Sequence, residues 1–439
     1  MNAVSTRCIY TFFENLRKKL KKICVCAFFF VLLYTFCELK MNFYFLCIRI
    51  AALLGHKKAR LLVQGQQQTI DSRGELSAHK GCIWIHAASV GEFEQARPLI
   101  ERLKASGDRK VVVTFFSPSG YEARKNYDLA DGVYYLPFAT RRNAKLFLEA
   151  LQPQMAIFVK YEFWPAYLKE LKKRGIRTYS ISAIFRPRQR FFRWYGWLSR
   201  RLLQCFTHIF VQDEASLALL NGIGMTNCSV AGDTRFDRVW DIVQRQNAQP
   251  DARLTFVERF AADSERVIVA GSTWPADEAL LARYIEEKDC KLILVPHEID
   301  EKHLHTIFNL FQGRYVPLSR ATGTALLRAR VLVVDTMGLL SRIYRFGQVA
   351  YIGGGFGEGI HNTIEAAVYG MPVVFGPNYH HFREAQGLIN AGCGKSIANY
   401  RELESALDTA LNNYRALGEQ AQLYVRSELG ATTHILREI

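Results

Sequence analysis

Short apolar, β-branched runs that alternate with helix-patterned stretches narrow the possible folds of this chain more than any other feature. Segments 82–86, 110–116, 154–159, 177–181 and 208–212 read as strands. Between the first two, Phe93, Ala96, Ile100 and Leu103 fall on one helical face. A second series follows at 267–270, 291–295, 331–334, 349–352 and 373–375. Such alternation is the mark of parallel α/β units. Segment 229–238 and a polar helical pattern over 239–253 separate the two series. The expected architecture is therefore two consecutive doubly wound domains, 41–235 and 236–439, after an N-terminal extension of residues 1–40.

The extension differs from the body. A basic cluster, Arg17 to Lys22, precedes the apolar run 23–37. That order resembles a signal sequence or membrane anchor, although the run is shorter than the roughly 20 residues that cross a bilayer. Segment 43–54, apolar but interrupted by Arg49, reads as an amphipathic helix lying at an interface. The first forty residues carry +5 of the formal net charge of +16, leaving +11 on the body. A basic chain suits nucleic acid or an anionic membrane. Six arginines and no acid occur between Phe185 and Leu202. On a helix, Phe191, Trp194, Tyr195, Leu198 and Leu202 would form one stripe, fitting anionic headgroups, nucleic acid, or a core-facing helix with a solvated basic side. The cysteines include no CxxC pair, which gives no zinc or redox signature.

In wound sheets ligands bind beyond the carboxyl ends of the strands, and the unusual residues of this sequence fall there. His86-Ala-Ala-Ser-Val-Gly-Glu92 leaves a strand and opens a helix, with Glu92 in the first turn. That placement suits a general base, and equally a carboxylate that only offsets the helix dipole. Glu162 follows another strand, beside Trp164 and Pro165; it is either a site carboxylate or the partner of a nearby Lys or Arg. In the second series, 271–275, 295–297, 335–339 and 353–365 stand in the same relation to their strands. The last holds glycines at 353, 354, 355, 357 and 359, without the dinucleotide spacing, followed by His361, Asn362 and Glu365. Asn362 and Glu365 are placed to share a helical face, where a carboxylate accepts ribose hydroxyls. No Asp-x-Asp occurs, so the usual acidic clamp for a metal-bound nucleotide diphosphate is missing. No metal and no cofactor are expected.

Ala88-Ser-Val-Gly-Glu92, Ser117-Pro-Ser-Gly120, Glu162-Phe-Trp-Pro165, Ala270-Gly-Ser-Thr273, Asp335-Thr-Met-Gly338 and His361-Asn-x-x-Glu365, in that order, resemble the 3-deoxy-D-manno-octulosonic acid (Kdo) transferases of lipopolysaccharide assembly. The resemblance runs from about Phe43 to the C-terminal end. It implies a GT-B glycosyltransferase fold, with two Rossmann-like domains facing a central cleft behind a membrane-associated N-terminal segment. It also implies a CMP-Kdo donor, a tetraacylated lipid A precursor as acceptor, transfer with inversion, and a place at the cytoplasmic face of the cell inner membrane. Glu92 then matches the general base, and Glu162 and Arg235 match positions credited with stabilising the transition state. Pro296, His297, Met337, Gly338, Leu339, Asn362, Thr363, Ile364 and Glu365 match donor-binding segments. Departures from the family pattern are Val295 before Pro296, where Pro-Arg-His is common, Arg235 for Lys, Trp274 for His, Leu339 for Glu and Ala366 for Pro. Three rivals stand beside this reading: a nucleotide-sugar epimerase of the same fold, a glycosyltransferase of the same fold with a different donor, and a non-catalytic protein drawn to nucleic acid by its charge. Nucleic acid is not the expected partner.

Overall fold

In the computed structural model, which describes residues 42–245, 251–262 and 264–439, the two series build two all-parallel seven-stranded sheets. The first unit ends at Gly232 and takes back residues His434–Ile439, while the second spans Asp233–Thr433. The division thus falls three residues before the expected one, and Arg235 belongs to the second unit.

The strands of the first unit are β1 (Ile83–Ala87), β2 (Val111–Phe115), β3 (Gly132–Tyr135), β4 (Met155–Val159), β5 (Arg177–Ala183), β6 (His208–Val211) and β7 (Cys228–Val230). Their order is β3-β2-β1-β4-β5-β6-β7. Successive side chains alternate between two cores: Trp84 joins Val112, Phe147 and Tyr167 on one face, while Ile83 and Ile85 join Phe93, Ile100 and Ile435 on the other. The helix Val90–Ala105 buries Phe93, Ala96, Ile100 and Leu103 as its spacing requires.

The second unit holds β8 (Val267–Thr273), β9 (Lys291–Pro296), β10 (Tyr315–Pro317), β11 (Val331–Val333), β12 (Val349–Ile352), β13 (Val373–Phe375) and β14 (Gly394–Ser396), in the order β10-β11-β9-β8-β12-β13-β14. Val267 and Val269 face one core, Ile268 and Ala270 the other. In each sheet the winding reverses direction once, between β1 and β4 in the first and between β8 and β12 in the second. Such switch points open a crevice at the carboxyl ends of the strands. The chain bends hard beside both. Lys160, just after β4, and Ser272, within β8, have φ of +57° and +54°, conformations that cost of order 1–3 kcal/mol each and collect at functional sites.

Three local expectations are corrected. The polar helix expected over 239–253 is instead the helix Thr234–Arg245 and a separate helix Ala252–Ala261, with residues 246–250 outside the described residues. The stretch 185–202 is not one amphipathic helix. Only a 3-10 turn, Arg190–Phe192, and the helix Trp197–Leu203 form there. Pro187 interrupts the run, and the chain doubles back so tightly that a Cβ on Gly196 would run into the Arg190 carbonyl oxygen. The expected stripe is therefore split: Phe191 is core, while Trp194 is 90% exposed. Arg200 turns inward to donate to the carbonyls of Phe191 (2.8 Å) and Arg193 (3.2 Å). Third, Asn362 lies before its helix, not on it, since Ile364–Ala367 makes only a single turn.

Residues 42–53 are helical. Phe45 docks this helix on Phe138, with ring centroids 4.4 Å apart, and Arg49 lies over the same ring. Phe43, Leu46, Ile50 and Leu53 remain exposed. No helix among the described residues is long and apolar enough to cross a membrane. The basic cluster and the apolar run before residue 40 lie outside the described residues.

Candidate active site

The loops after β1 and β4 bring two carboxylates to the switch point of the first sheet. Glu92 stands in the first turn of the helix Val90–Ala105, half-buried, where the N-terminal dipole favours a negative charge. The hydroxyl of Ser89, the N-cap residue, donates to its Oε2. Tyr161, two-fifths exposed, lies within reach of the charges of Glu92, Arg186 and Asp213, and burial pushes its phenol pKa up. Glu162 is held more firmly. Its Oε2 accepts from Trp164 Nε1 at 2.6 Å and lies 3.2 Å from His86 Nε2, and its side chain is 16% exposed. In the sequence His86 stands out only as the first residue of its motif. The signal that marks it is a histidine at a strand position whose neighbours are all apolar: fully buried, it must have a polar partner.

In the second unit the switch point is lined by Trp274 after β8 and by the loop 353–365 after β12. Its glycines serve the protein's own packing: a Cβ on Gly353 would run into the Ser272 carbonyl oxygen, and one on Gly355 would lie 2.6 Å from Gly376 Cα. Asp277, fully buried, ties the loop down by accepting from Gly354 N (3.0 Å), Trp274 N (3.0 Å) and the Tyr351 hydroxyl (2.7 Å). Trp274, His297 and His361 form a continuous ring stack, with centroids 4.9 and 4.4 Å apart and both interplanar angles 25°. Trp274 Nε1 also donates to His361 Nε2 at 3.3 Å. Burial, and then the neighbouring His297, lower the His361 pKa to about 4. The tryptophan that departs from the family pattern thus completes an aromatic wall.

The expected donor segments divide between site and core. Asn362 Nδ2 donates to Glu365 Oε1 at 2.9 Å, and Asn362 Oδ1 accepts from Ile364 N. The expected pair is therefore present, joined by a hydrogen bond across the start of a single helical turn. A helix that short adds little dipole for a phosphate. Burial raises the Glu365 pKa, opposed by Asn362 and by the Arg238 guanidinium. Thr363 is fully buried, and its hydroxyl has no partner among the described residues. Met337 is 68% exposed and Gly338 takes a positive φ of +83°. Pro296 ends β9, and His297 beyond it is exposed. By contrast, the side chains of Leu339 and Ile364 are core, each 1% exposed, so only their backbones are available to a ligand.

Arg235 is already engaged. Its Nε and Nη2 donate to Asp233 Oδ2 at 2.9 and 2.6 Å, and its Nη1 to Glu384 Oε1 at 3.0 Å. Burial alone would lower its pKa; the two carboxylates more than offset this and raise it. About a fifth of the side chain stays accessible, so its charge is matched by protein carboxylates before any ligand arrives.

The family profile described as 3-Deoxy-D-manno-octulosonic-acid transferase (kdotransferase) matches residues 58–238. The 3-deoxy-D-manno-octulosonic acid transferase of Rickettsia prowazekii is 26% identical over 358 residues, covering 78% of this chain and 75% of that one. Among solved structures, UDP-GlcNAc 2-epimerase of Neisseria meningitidis has a TM-score of 0.58 at 15% identity, over 81% of this chain and 98% of that one. MurG of Acinetobacter baumannii has a TM-score of 0.52 at 14% identity, over 82% and 99%. Two wound sheets of this kind make the GT-B fold, and the similarity in sequence to Kdo transferases gives the class, a glycosyltransferase. In sequence the chain is similar to the Kdo transferases, over residues 58–238 by the family profile and over 78% of its length by the Rickettsia relative.

Proposed function

We propose that this chain moves Kdo from CMP-Kdo to a lipid A precursor with inversion, without a metal ion or other cofactor. The observation that carries the reading is Glu92: a part-exposed carboxylate at the first switch point, at a helix N-terminus, with a second carboxylate held at the neighbouring strand end. In the proposed step the acceptor sugar hydroxyl gives its proton to the Glu92 carboxylate as its oxygen attacks the anomeric carbon of Kdo. The bond from that carbon to the CMP phosphate breaks, and its electron pair leaves with CMP. Glu162 stabilises positive charge that develops at the sugar. The second unit holds the donor, with Glu365 and Asn362 on the ribose and the Trp274–His297–His361 wall beside them. Arg235, with Asp233 and Glu384 on it, acts on the donor through its exposed fifth.

The reading includes attachment to the cytoplasmic face of the inner membrane. It is supported by the exposed apolar residues of the helix 42–53, by the exposed Lys57, Lys58 and Arg60 that follow, and by Trp194 and Tyr195 beside Arg193.

The test is CMP release and product mass from the detergent-solubilised chain with CMP-Kdo and a tetraacylated lipid A precursor, beside Glu92→Ala. Acceptor-dependent release with a mass gain of one or more Kdo units, silent in the variant that still binds CMP, is expected. Turnover unchanged in Glu92→Ala would remove the base. A folded chain that binds CMP but transfers nothing would remove the acceptor, and one that binds no CMP would remove the donor.

A further inference from the structure

Behind Glu162 lies a chain of buried polar groups that no packing argument requires. The β1–β2 register sets His86 opposite Thr114, and Trp84 stands two residues before His86 on the same face of the sheet. All three are fully buried. Trp84 Nε1 lies 2.8 Å from Thr114 Oγ1, Thr114 Oγ1 lies 2.9 Å from His86 Nδ1, and His86 Nε2 lies 3.2 Å from Glu162 Oε2.

The direction of each bond follows from what the groups are able to do. An indole N–H only donates, so Thr114 Oγ1 accepts from Trp84 and keeps its own proton to give. The acceptor within reach is His86 Nδ1. A ring that accepts at Nδ1 carries its proton on Nε2, and that proton meets the carboxylate oxygen. In the alternative neutral form, Nδ1–H would donate to the Thr114 carbonyl at 3.1 Å. It would leave a bare Nε2 lone pair against Glu162 Oε2, a repulsive contact in a buried site. Trp164 Nε1 lies near both atoms, at 2.6 Å from Oε2 and 3.1 Å from His86 Nε2; the shorter contact, to the charged oxygen, takes its proton.

We propose that His86 is the positioning residue for Glu162, presenting an Nε2–H to its carboxylate in a tautomer set from behind by the Thr114 hydroxyl and Trp84. With Trp164, it pins Oε2 from two sides, which fixes the direction of the whole carboxylate. The inference rests on the reading that Glu162 serves the transfer step.

The test uses the full chain in the transfer assay, with CMP binding and thermal unfolding as checks on the fold. His86→Phe keeps a ring of similar size and removes the N–H; His86→Gln returns an N–H at a similar reach. The expected result is a roughly ten- to hundredfold fall in kcat for His86→Phe with KM for CMP-Kdo little changed, the weight of a hydrogen bond to a charged group. His86→Gln should recover most of it. In a Glu162→Gln background, His86→Phe should cost less than about twofold more, because the two residues act as one. Thr114→Val, close to isosteric, should lower kcat in the same direction. Equal losses in His86→Phe and His86→Gln would make the role one of packing and overturn the proposal. So would a full loss in the Glu162→Gln background, or an undiminished kcat in His86→Phe. Glu162→Gln as active as the unaltered chain would instead sink the reading of Glu162, and this proposal with it. A readout free of turnover is the long-range 1H–15N spectrum of 15N-histidine-labelled protein. The signal lost in His86→Gln should show a protonated Nε2, and a pattern of Nδ1–H alone would refute the assignment.

Discussion

Replacing His361 with Gln should flatten the acid side of the second unit's stability curve. The folded chain keeps His361 neutral because burial, and then His297, lower its pKa from 6.5 to about 4. The bond from Trp274 Nε1 adds to this, since a protonated Nε2 cannot accept it. The unfolded chain binds the proton near pH 6.5 and the folded chain only near pH 4, so between these values the unfolded state holds more protons. Stability therefore rises with pH across this window and is lost as pH falls. The shift corresponds to about 3 kcal/mol in full, of which about 2 kcal/mol is lost between pH 7 and pH 5. Gln cannot titrate, and its side-chain carbonyl still accepts the indole N–H. The variant gives up stacking worth about 1 kcal/mol at pH 7 and should then lose about 2 kcal/mol less than the unaltered chain on going to pH 5. Urea titrations read by loss of amide protection in β8 and β12 peptides confine the measurement to this unit. Parallel curves for the two proteins, offset but with the same dependence on pH, would refute the burial argument.

Glu278 should produce the opposite slope. It is 1% exposed, accepts from the Thr273 hydroxyl (2.9 Å), and faces His303 Nε2 (3.0 Å). Burial raises its pKa above 4.5 despite the histidine, so folding takes up a proton just above pH 4.5 and stability falls as pH rises through that range. Glu278→Gln should remove this component, and an unchanged slope of urea midpoint against pH between 4.5 and 7 would contradict it. Gly353→Ala forces a Cβ against the Ser272 and Thr273 backbone; it should cost roughly 1–3 kcal/mol and weaken CMP binding, and an unaltered midpoint would show that the loop yields freely.

The central strands were legible because burial on both faces leaves long β-branched runs, such as 111–115 and 267–270, that no other element explains. The four strands that escaped, β3, β7, β10 and β14, are the four sheet edges. Each is three or four residues long and mostly part-exposed, so each lacks the apolar signature. The positions of Glu92, Glu162 and Glu365 just beyond strand ends were legible because a polar cluster interrupts the apolar pattern there. Contacts between distant segments were not. Nothing near Arg235 in the sequence announces Glu384, which lies 149 positions away, and nothing in 185–202 announces that Arg200 folds back onto two carbonyls. The left-handed turns at Lys160 and Ser272 were equally hidden, since neither residue type favours them.

The return of the chain to its first sheet has a consequence in time. Ile435 is fully buried among Phe93, Ile157, Ile181 and Phe210, yet it leaves the ribosome 205 residues after Val230, the last residue of β7. At about 5–20 residues per second, the first unit waits roughly 10–40 s with all its strands made and one core still open. For that interval its apolar face is a site for chaperones or for misassembly, and release of this unit as a finished object is tied to completion of the second.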